Sequence, residues 1–276
     1  MSTPVDLYHS TYGHFTDDVL AVIRRETFGI DIGQDSWLTA DEYDGFLSWL
    51  GLAADHRALD VASGSGGPAL YLAGAAGCRV TGVDANEAAI RTASELAVRS
   101  GHPDRARFVL ADANARLPFE DESFDALVCI DAMNHFTDRL AVLQEWTRLL
   151  RAGGRAVFTD PVVVTGPVTN GELARRSSIG DFLFVPPGVN ERLIEQAGLR
   201  LVKQEDVTSN AALTAGRWHQ ARQRHRDALI GVEGDARFEG LQSFFETVHQ
   251  LATDFRELYI SWRSRPAVRL GVTNES

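Results

Sequence analysis

Three carboxylates bracket a glycine cluster in this chain: Asp60 in ALDVA before it, Asp84 in VTGVDA after it, and Asp112 in FVLADANARLPF further on. Gly64, Gly66 and Ala69 satisfy the spacing G-x-G-x-x-G/A behind an apolar run, and Asp84 lies 20 residues beyond Gly64. That is where an acid accepts from ribose hydroxyls. Glycines let the backbone turn sharply and approach a ligand, so the pattern by itself serves a nicotinamide dinucleotide or another adenosine cofactor. Three details oppose a pyrophosphate. Asp60, at the end of the preceding apolar run, would repel a diphosphate but support a bound ammonium or sulfonium. Pro68 stands where the next helix starts, a favoured place for proline, and it lacks an N–H that a phosphate would use. Asp112 is placed to accept from an adenine amino group. Acids before, after and beyond the glycines suit a cation that carries adenosine.

The surrounding elements must put these groups on one edge. ALDVA, RVTGVD, ARFVLAD, FDALVCID and RAVFTD read as strands, while GPALYLAGAA, NEAAIRTASELAVRSG and RLAVLQEWTRLLRAGG read as helices. Regular alternation predicts an α/β fold with a doubly wound, mostly parallel sheet, and right-handed crossovers gather the loops after the strands on the ligand edge. Asp60, Asp84, Asp112, Asp131 and Asp160 all fall at or just after strand ends, where an acid is also a good helix N-cap.

Residues 1–57 read as a helical N-terminal cap. DDVLAVIRRETFG has helical spacing, Thr39 and Glu42 have the spacing of a capping box, and the loop DIGQDSWL between the two helices carries an exposed-looking Trp37. Residues 58–160 form the cofactor-binding core. Residues 161–276 hold a substrate-side loop, the strands LRLVKQEDVT and LYISW, and a helical lid insertion with Phe238, Leu241, Phe244, Phe245, Val248, Leu251 and Phe255 at helical spacing. Long insertions on the ligand edge form lids or substrate pockets.

LDVASGSGGPALYLA, VTGVDAN, ADANARLPFEDESFDALVCIDAMNHF and LLRAGGRAVF together resemble the ordered motifs of class I S-adenosylmethionine-dependent methyltransferases. The GGPA loop is similar to the small-molecule branch that includes phosphoethanolamine and sarcosine methyltransferases. The resemblance implies a seven-stranded Rossmann-like sheet. It also implies that Asp60, Ala62, Ser63, Gly64 and Gly66 line the methionine end of the cofactor, that Asp84 holds the ribose between Ala85 and Asn86, and that Asp112 and Ala113 meet the adenine. Ile130 and Asp131 would close that side, and Trp37 would fold over the cofactor with the cap, as would Tyr8, Tyr12, His14 and the loop at Gln34. One departure is Ala62, where the family usually has glycine.

Methyl transfer from a sulfonium is an in-line displacement that requires an oriented nucleophile, a dry site and, for some acceptors, removal of one proton. His135, after the strand FDALVCID, is the candidate base, because histidine titrates near neutral pH; Asn134 would position the same group. Tyr12, Asp160, Arg176 and Trp218 are candidate substrate contacts. Arg176, with Arg175, has the chemistry of a carboxylate or phosphate clamp. Trp218, Arg222 and His225 share one helical face that reads as a solvated basic surface.

The chain has 276 residues, 44% of them hydrophobic, and a net charge of −11, which opposes binding to nucleic acid or anionic lipid. No apolar run has the roughly 18 residues of a membrane span, and no signal peptide is evident. Cys78 and Cys129 lack disulfide or metal-ligand spacing and read as core residues. The expectation is a cytoplasmic enzyme, monomer or homodimer, that takes S-adenosylmethionine to S-adenosylhomocysteine with a small-molecule acceptor and no metal. The alternatives are a relative that binds the cofactor but catalyses a cyclisation or rearrangement, a nicotinamide-dependent oxidoreductase, and a non-catalytic binding module.

Overall fold

The computed structural model describes residues 12, 15, 17–101 and 104–267; the expectations for Tyr8 and His14 lie outside the described residues. Helix α1 spans Asp18–Phe28 and α2 spans Ala40–Leu50. The capping box forms: the Thr39 side chain accepts from the Glu42 amide, and the Glu42 carboxylate accepts from the Thr39 amide. These bonds satisfy donors that a helix start leaves open. The alternating region follows as β1 (Arg57–Val61), α3 (Gly67–Ala76), β2 (Arg79–Asp84), α4 (Glu87–Arg99), β3 (Ala106–Leu110), β4 (Phe124–Cys129), α5 (Arg139–Leu149) and β5 (Leu150–Val164). Then come α6 (Asn170–Arg176), α7 (Val189–Gln196), β6 (Leu199–Asp206), α8 (Thr208–Arg224), α9 (Arg226–Glu233), α10 (Asp235–Thr253) and β7 (Glu257–Pro266).

The strands form one seven-stranded sheet in the order β3-β2-β1-β4-β5-β7-β6. The pairs from β3 to β5 are parallel, and β7 runs antiparallel to both β5 and β6. The chain leaves β1 toward β2, and β4 returns on the other side of β1. That reversal of winding opens a crevice at the carboxyl ends of the strands.

Both faces of the sheet are covered, which is why its strands read as apolar runs. One face buries Phe124, Phe158 and Trp262 against Trp146 and Leu143 of α5. The other buries Val80, Val128 and Val157 against Tyr43 and Phe46 of α2 and Leu72 of α3. A third apolar cluster lies in the helices: Ile23 and Phe28 of α1 pack with Ala215 and Trp218 of α8 and Phe238 and Phe244 of α10. Cap and insertion, far apart in sequence, therefore share one core.

Two sequence expectations need correction. The helix read through RAGG stops at Leu149, because Leu150 already pairs with Phe124 of β4. Strand β5 also passes through Pro161 instead of ending at Asp160. Its register with β7 slips between Asp160 and Val163, an irregularity of the kind that accommodates a residue without an N–H. Cys78 and Cys129 are buried free thiols. Among the described residues, no helix is long and apolar enough to cross a membrane.

The cap docks on the core through a contact of bare backbones. Gly33, at φ 76°, lies against Gly67 at the start of α3, and a Cβ on Gly67 would collide with the Gly33 carbonyl. Overpacking against main chain costs about 1–3 kcal/mol. Gly67→Ala is expected to lower unfolding stability by that amount in urea titrations and to expose the cap to limited proteolysis first.

Candidate functional site

Strand β1 ends in a turn that three left-handed residues make possible: Ala62 (φ 57°), Gly64 (φ 52°) and Gly66 (φ 80°). Ala62, where the resembling family usually has glycine, holds a conformation that costs a non-glycine residue about 1–2 kcal/mol, so the turn carries its methyl group under strain. The next strand fixes the turn from beside it. Asp84 accepts from the Gly64 amide at 2.9 Å through one oxygen and from the Asn86 amide at 2.8 Å through the other. Asn86 in turn caps α4 by accepting from the Ala88 and Ala89 amides.

This turn forms one wall of a cavity of about 430 Å³ lined also by the loops after β2, β3 and β4. Asp60, Ala62, Ser63, Gly64, Asp84, Ala85, Asn86, Asp112, Ala113, Ile130 and Asp131, drawn from four separated motifs, all line it. The Ser63 and Ser65 hydroxyls are buried there with no hydrogen-bond partner. Burial, reinforced by the charge of Asp84, raises the pKa of Asp60 to about 8. A carboxylate has about four lone-pair sites, and the loop amides use one on each oxygen of Asp84, which leaves acceptors for a vicinal diol. Two orphaned hydroxyls, an acid held protonated by lack of a counter-cation and a diol acceptor fit an adenosine cofactor with an ammonium and a carboxylate at its far end.

A second, narrower cavity of about 120 Å³ adjoins the first, and the two share Asp35, Ser36 and Asp131. Its walls are the cap loop, the segment after β4 and the helical insertion. Trp218 stacks on Phe245 with ring centroids 5.4 Å apart, and Trp37 packs against Phe244 and Phe245. Asn134, in the one-turn helix Met133–His135, lines this chamber with its buried Oδ1 unpartnered. His135, the next residue, faces the first cavity instead. Its Nδ1 lies 3.2 Å from the Asp181 carbonyl. A carbonyl only accepts, so Nδ1 carries a hydrogen. Burial lowers the pKa of this imidazole, more than the Asp181 hydrogen bond raises it.

Several sequence assignments change. Trp37 is buried and lines the second cavity, not the first, because Phe244 and Phe245 hold it there. Tyr12, expected both over the cofactor and at the substrate, lines the first cavity and not the second, and its ring covers Gly64. Gly66 stands behind the wall: a Cβ there would meet Phe108 at 2.6 Å and Ala93 at 2.8 Å, so its role is steric. Gln34 is buried and folds its own loop, accepting from the Ile32 amide at 2.9 Å.

Asp160 lines neither cavity. It is fully buried, pairs with Arg139 and accepts from Asn190 Nδ2 at 2.9 Å. Arg176 and Trp218 do line the second cavity, but Arg176 is bound to Glu257 at 2.6 Å and is not a free clamp. Arg175 donates to Thr247 instead. Arg222, read as part of a solvated face, is buried against Phe238 and Phe245 and paired with Glu233. His225 sits 2.8 Å from Glu26. Asp35, Ser36 and Phe182 also line the second cavity, and the sequence signal for them is slight: an acid two residues before a tryptophan in DIGQDSWL. Among the described residues, no group of three His, Cys, Asp or Glu side chains is arranged to hold a metal ion.

The family described as "Methyltransferase domain" matches residues 59–158. The 27-O-demethylrifamycin SV methyltransferase of Amycolatopsis mediterranei is 32% identical over 71% of this chain and 73% of its own length. Methyltransferase GfsG of Streptomyces halstedii is 35% identical over 60% of each chain, so this chain spans less than two thirds of that relative. Among solved structures, phosphoethanolamine N-methyltransferase 2 of Haemonchus contortus, bound to phosphomonomethylethanolamine and S-adenosylhomocysteine, superposes with a TM-score of 0.79. The identity is 19%, over 94% of this chain and 60% of that one.

Two outcomes are expected from this geometry. Asp160→Ala leaves the buried Arg139 without its carboxylate, a loss that costs about 3–5 kcal/mol, to be read from the urea midpoint. The raised pKa of Asp60 means the folded state holds its proton more tightly than the unfolded chain. Its contribution to stability is full below pH ~4 and falls by up to about 1.4 kcal/mol per pH unit until it levels off above about 8. The stability of wild type relative to Asp60→Asn is therefore expected to decline from pH 5 to pH 8 in matched urea titrations.

Proposed function

The chain belongs to the class I S-adenosylmethionine-dependent methyltransferases, and from that premise we propose that it methylates a small-molecule acceptor held in the second cavity, with its cofactor in the first. The observation that carries this reading is the meeting of the two cavities at Asp35, Ser36 and Asp131. A displacement needs donor and acceptor compartments that touch at one place. When bound, S-adenosylmethionine supplies an electrophilic methyl group on a sulfonium and leaves as S-adenosylhomocysteine.

In this reading residues 58–160 are the cofactor-binding core, and residues 1–57 and 161–276 form the acceptor side. Asp60, Ser63 and Ser65 hold the ammonium and carboxylate of the methionine end, over the turn at Ala62 and Gly64. Asp84 binds the ribose hydroxyls beside Ala85 and Asn86, and Asp112 with Ala113 meets the adenine, with Ile130 closing that side. Asn134 Oδ1 accepts from the polar group of the acceptor. His135 lines the cofactor side, where burial disfavours a charge on its imidazole and so limits positive charge beside the sulfonium. Trp37 and Trp218 exclude water, which strengthens the electrostatics of the site. The net charge of −11 favours a small molecule over nucleic acid. The two free thiols favour the reducing cytoplasm, where we place the enzyme as a monomer or homodimer.

Isothermal titration tests the cofactor assignment. S-adenosylmethionine and S-adenosylhomocysteine are each expected to bind at one site. Asp84→Ala is expected to weaken both by about 10- to 100-fold, since hydrogen bonds to a charged group are each worth about 1.5–3 kcal/mol. Binding that ignores Asp84→Ala, or binding of a reduced nicotinamide cofactor in its place, would overturn the assignment.

A further inference from the structure

The charges of the second cavity select its acceptor. Three guanidinium groups line it, and each is paired with a carboxylate: Arg176 with Glu257 at 2.6 Å, Arg222 with Glu233, and Arg237 with Glu233 at 4.0 Å. Arg176 is also covered by Phe182 and Phe244, and Arg222 by Phe238 and Phe245. No guanidinium is left as an unengaged fork for a phosphate or carboxylate, the bidentate partners it suits best.

The remaining lining is aromatic and aliphatic, apart from Ser36, Asn134, the already paired Glu233 and two carboxylates where the cavities meet, Asp35 and Asp131. These two differ in one respect. Asp131 already accepts three hydrogen bonds, from Thr159 at 2.6 Å, from Tyr259 and from the Trp37 amide at 2.7 Å. Asp35 takes no hydrogen bond or ion pair from any described residue. Loss of hydration in the protein-lined junction raises its pKa, against the opposing charges of Arg24 and Arg237. Asp35 is exposed to the space where the two cavities meet, and a carboxylate with a raised pKa is a better proton acceptor than an ordinary one.

We propose that the acceptor is an uncharged, ring-containing compound, and that its hydroxyl hands its proton to Asp35 as it is methylated. This rests on the two-compartment reading above. The acceptor oxygen forms its bond to the methyl carbon as the carbon–sulfur bond breaks and that electron pair stays on sulfur. The hydroxyl proton passes to a carboxylate oxygen of Asp35. Phosphorylated and carboxylated acceptors are excluded because they would bring an anion against Asp35 and Asp131 with no free cation to receive it.

The test uses the full-length protein saturated with S-adenosylhomocysteine, whose own binding is measured first. Quenching of tryptophan fluorescence then reports affinity for 2-naphthol, 2-naphthoate and 2-naphthyl phosphate. The neutral compound is expected to bind at least about tenfold more tightly than either anion, a difference of about 1.4 kcal/mol. Asp35→Asn keeps a hydrogen-bond acceptor but cannot take the proton. It is expected to leave the affinities for 2-naphthol and S-adenosylhomocysteine within about threefold of wild type while methyl transfer to 2-naphthol falls by at least about 100-fold.

Failure of S-adenosylhomocysteine to bind would count against the underlying reading. With it bound, preference for an anion, binding of none of the three, absence of transfer to 2-naphthol by the wild type, or an undiminished rate in Asp35→Asn would overturn this inference. A rate lost in His135→Ala but kept in Asp35→Asn would move the proton to His135.

Discussion

One half-buried carboxylate holds the site together. Asp131 follows β4 in a left-handed conformation, φ 55°, that costs a residue with a side chain about 1–2 kcal/mol. The bonds it makes over-determine that conformation. Its amide donates to Thr159 of β5 at 2.8 Å, and its carboxylate accepts from Thr159, from Tyr259 of β7 and from the Trp37 amide of the cap loop. Burial raises the pKa of Asp131, while the Thr159, Tyr259 and Trp37 hydrogen bonds act to lower it. Four segments far apart in sequence meet on this group, and both cavities share it. Strain at such a position persists only where the surroundings fix it, which is common where function resides.

The first cavity depends on the absence of side chains as much as on their presence. Gly82 of β2 has no room for a Cβ because Phe108 and the Ser63 hydroxyl occupy it, and Gly66 leaves the space that Phe108 and Ala93 fill. The turn after β1 is thereby pressed against β2 and β3, so the Gly64 amide reaches Asp84. Gly33 and Gly67 bring the cap loop to the same place. The glycine pattern thus works through packing behind the cavity as well as through approach to a ligand.

The second cavity follows another logic. Its aromatic wall comes from cap and insertion together, through the shared cluster of α1, α8 and α10. Charged groups enter that cluster only in pairs, as at Arg222 with Glu233 and Arg176 with Glu257. Desolvated ions cost several kcal/mol each unless paired, so the charges that support the chamber are not available to recognise an anion.

The sequence by itself determined the sheet, its alternation with helices and most of the cofactor cavity. Those features rest on local signals: apolar runs, the capping box at Thr39 and Glu42, and acids at strand ends whose side of the sheet is fixed by right-handed crossovers. It also determined the identity of the turn, including the unusual Ala62. The tertiary structure alone decided which polar groups are available. Asp160 and Asp131 look alike at the ends of apolar runs, yet one is spent on Arg139 inside the protein and the other ties the cap to the sheet. Arg222 read as solvated because its helix is rich in charge, and Glu233 with two phenylalanines buried it. Asp35 gave little signal, since its place between the cavities depends on a cap loop held by Asp131 almost a hundred residues away, at a separation of 94 between Trp37 and Asp131. Periodicity reports which face of an element is apolar, but the partner of a charge across the fold is settled only by three-dimensional packing.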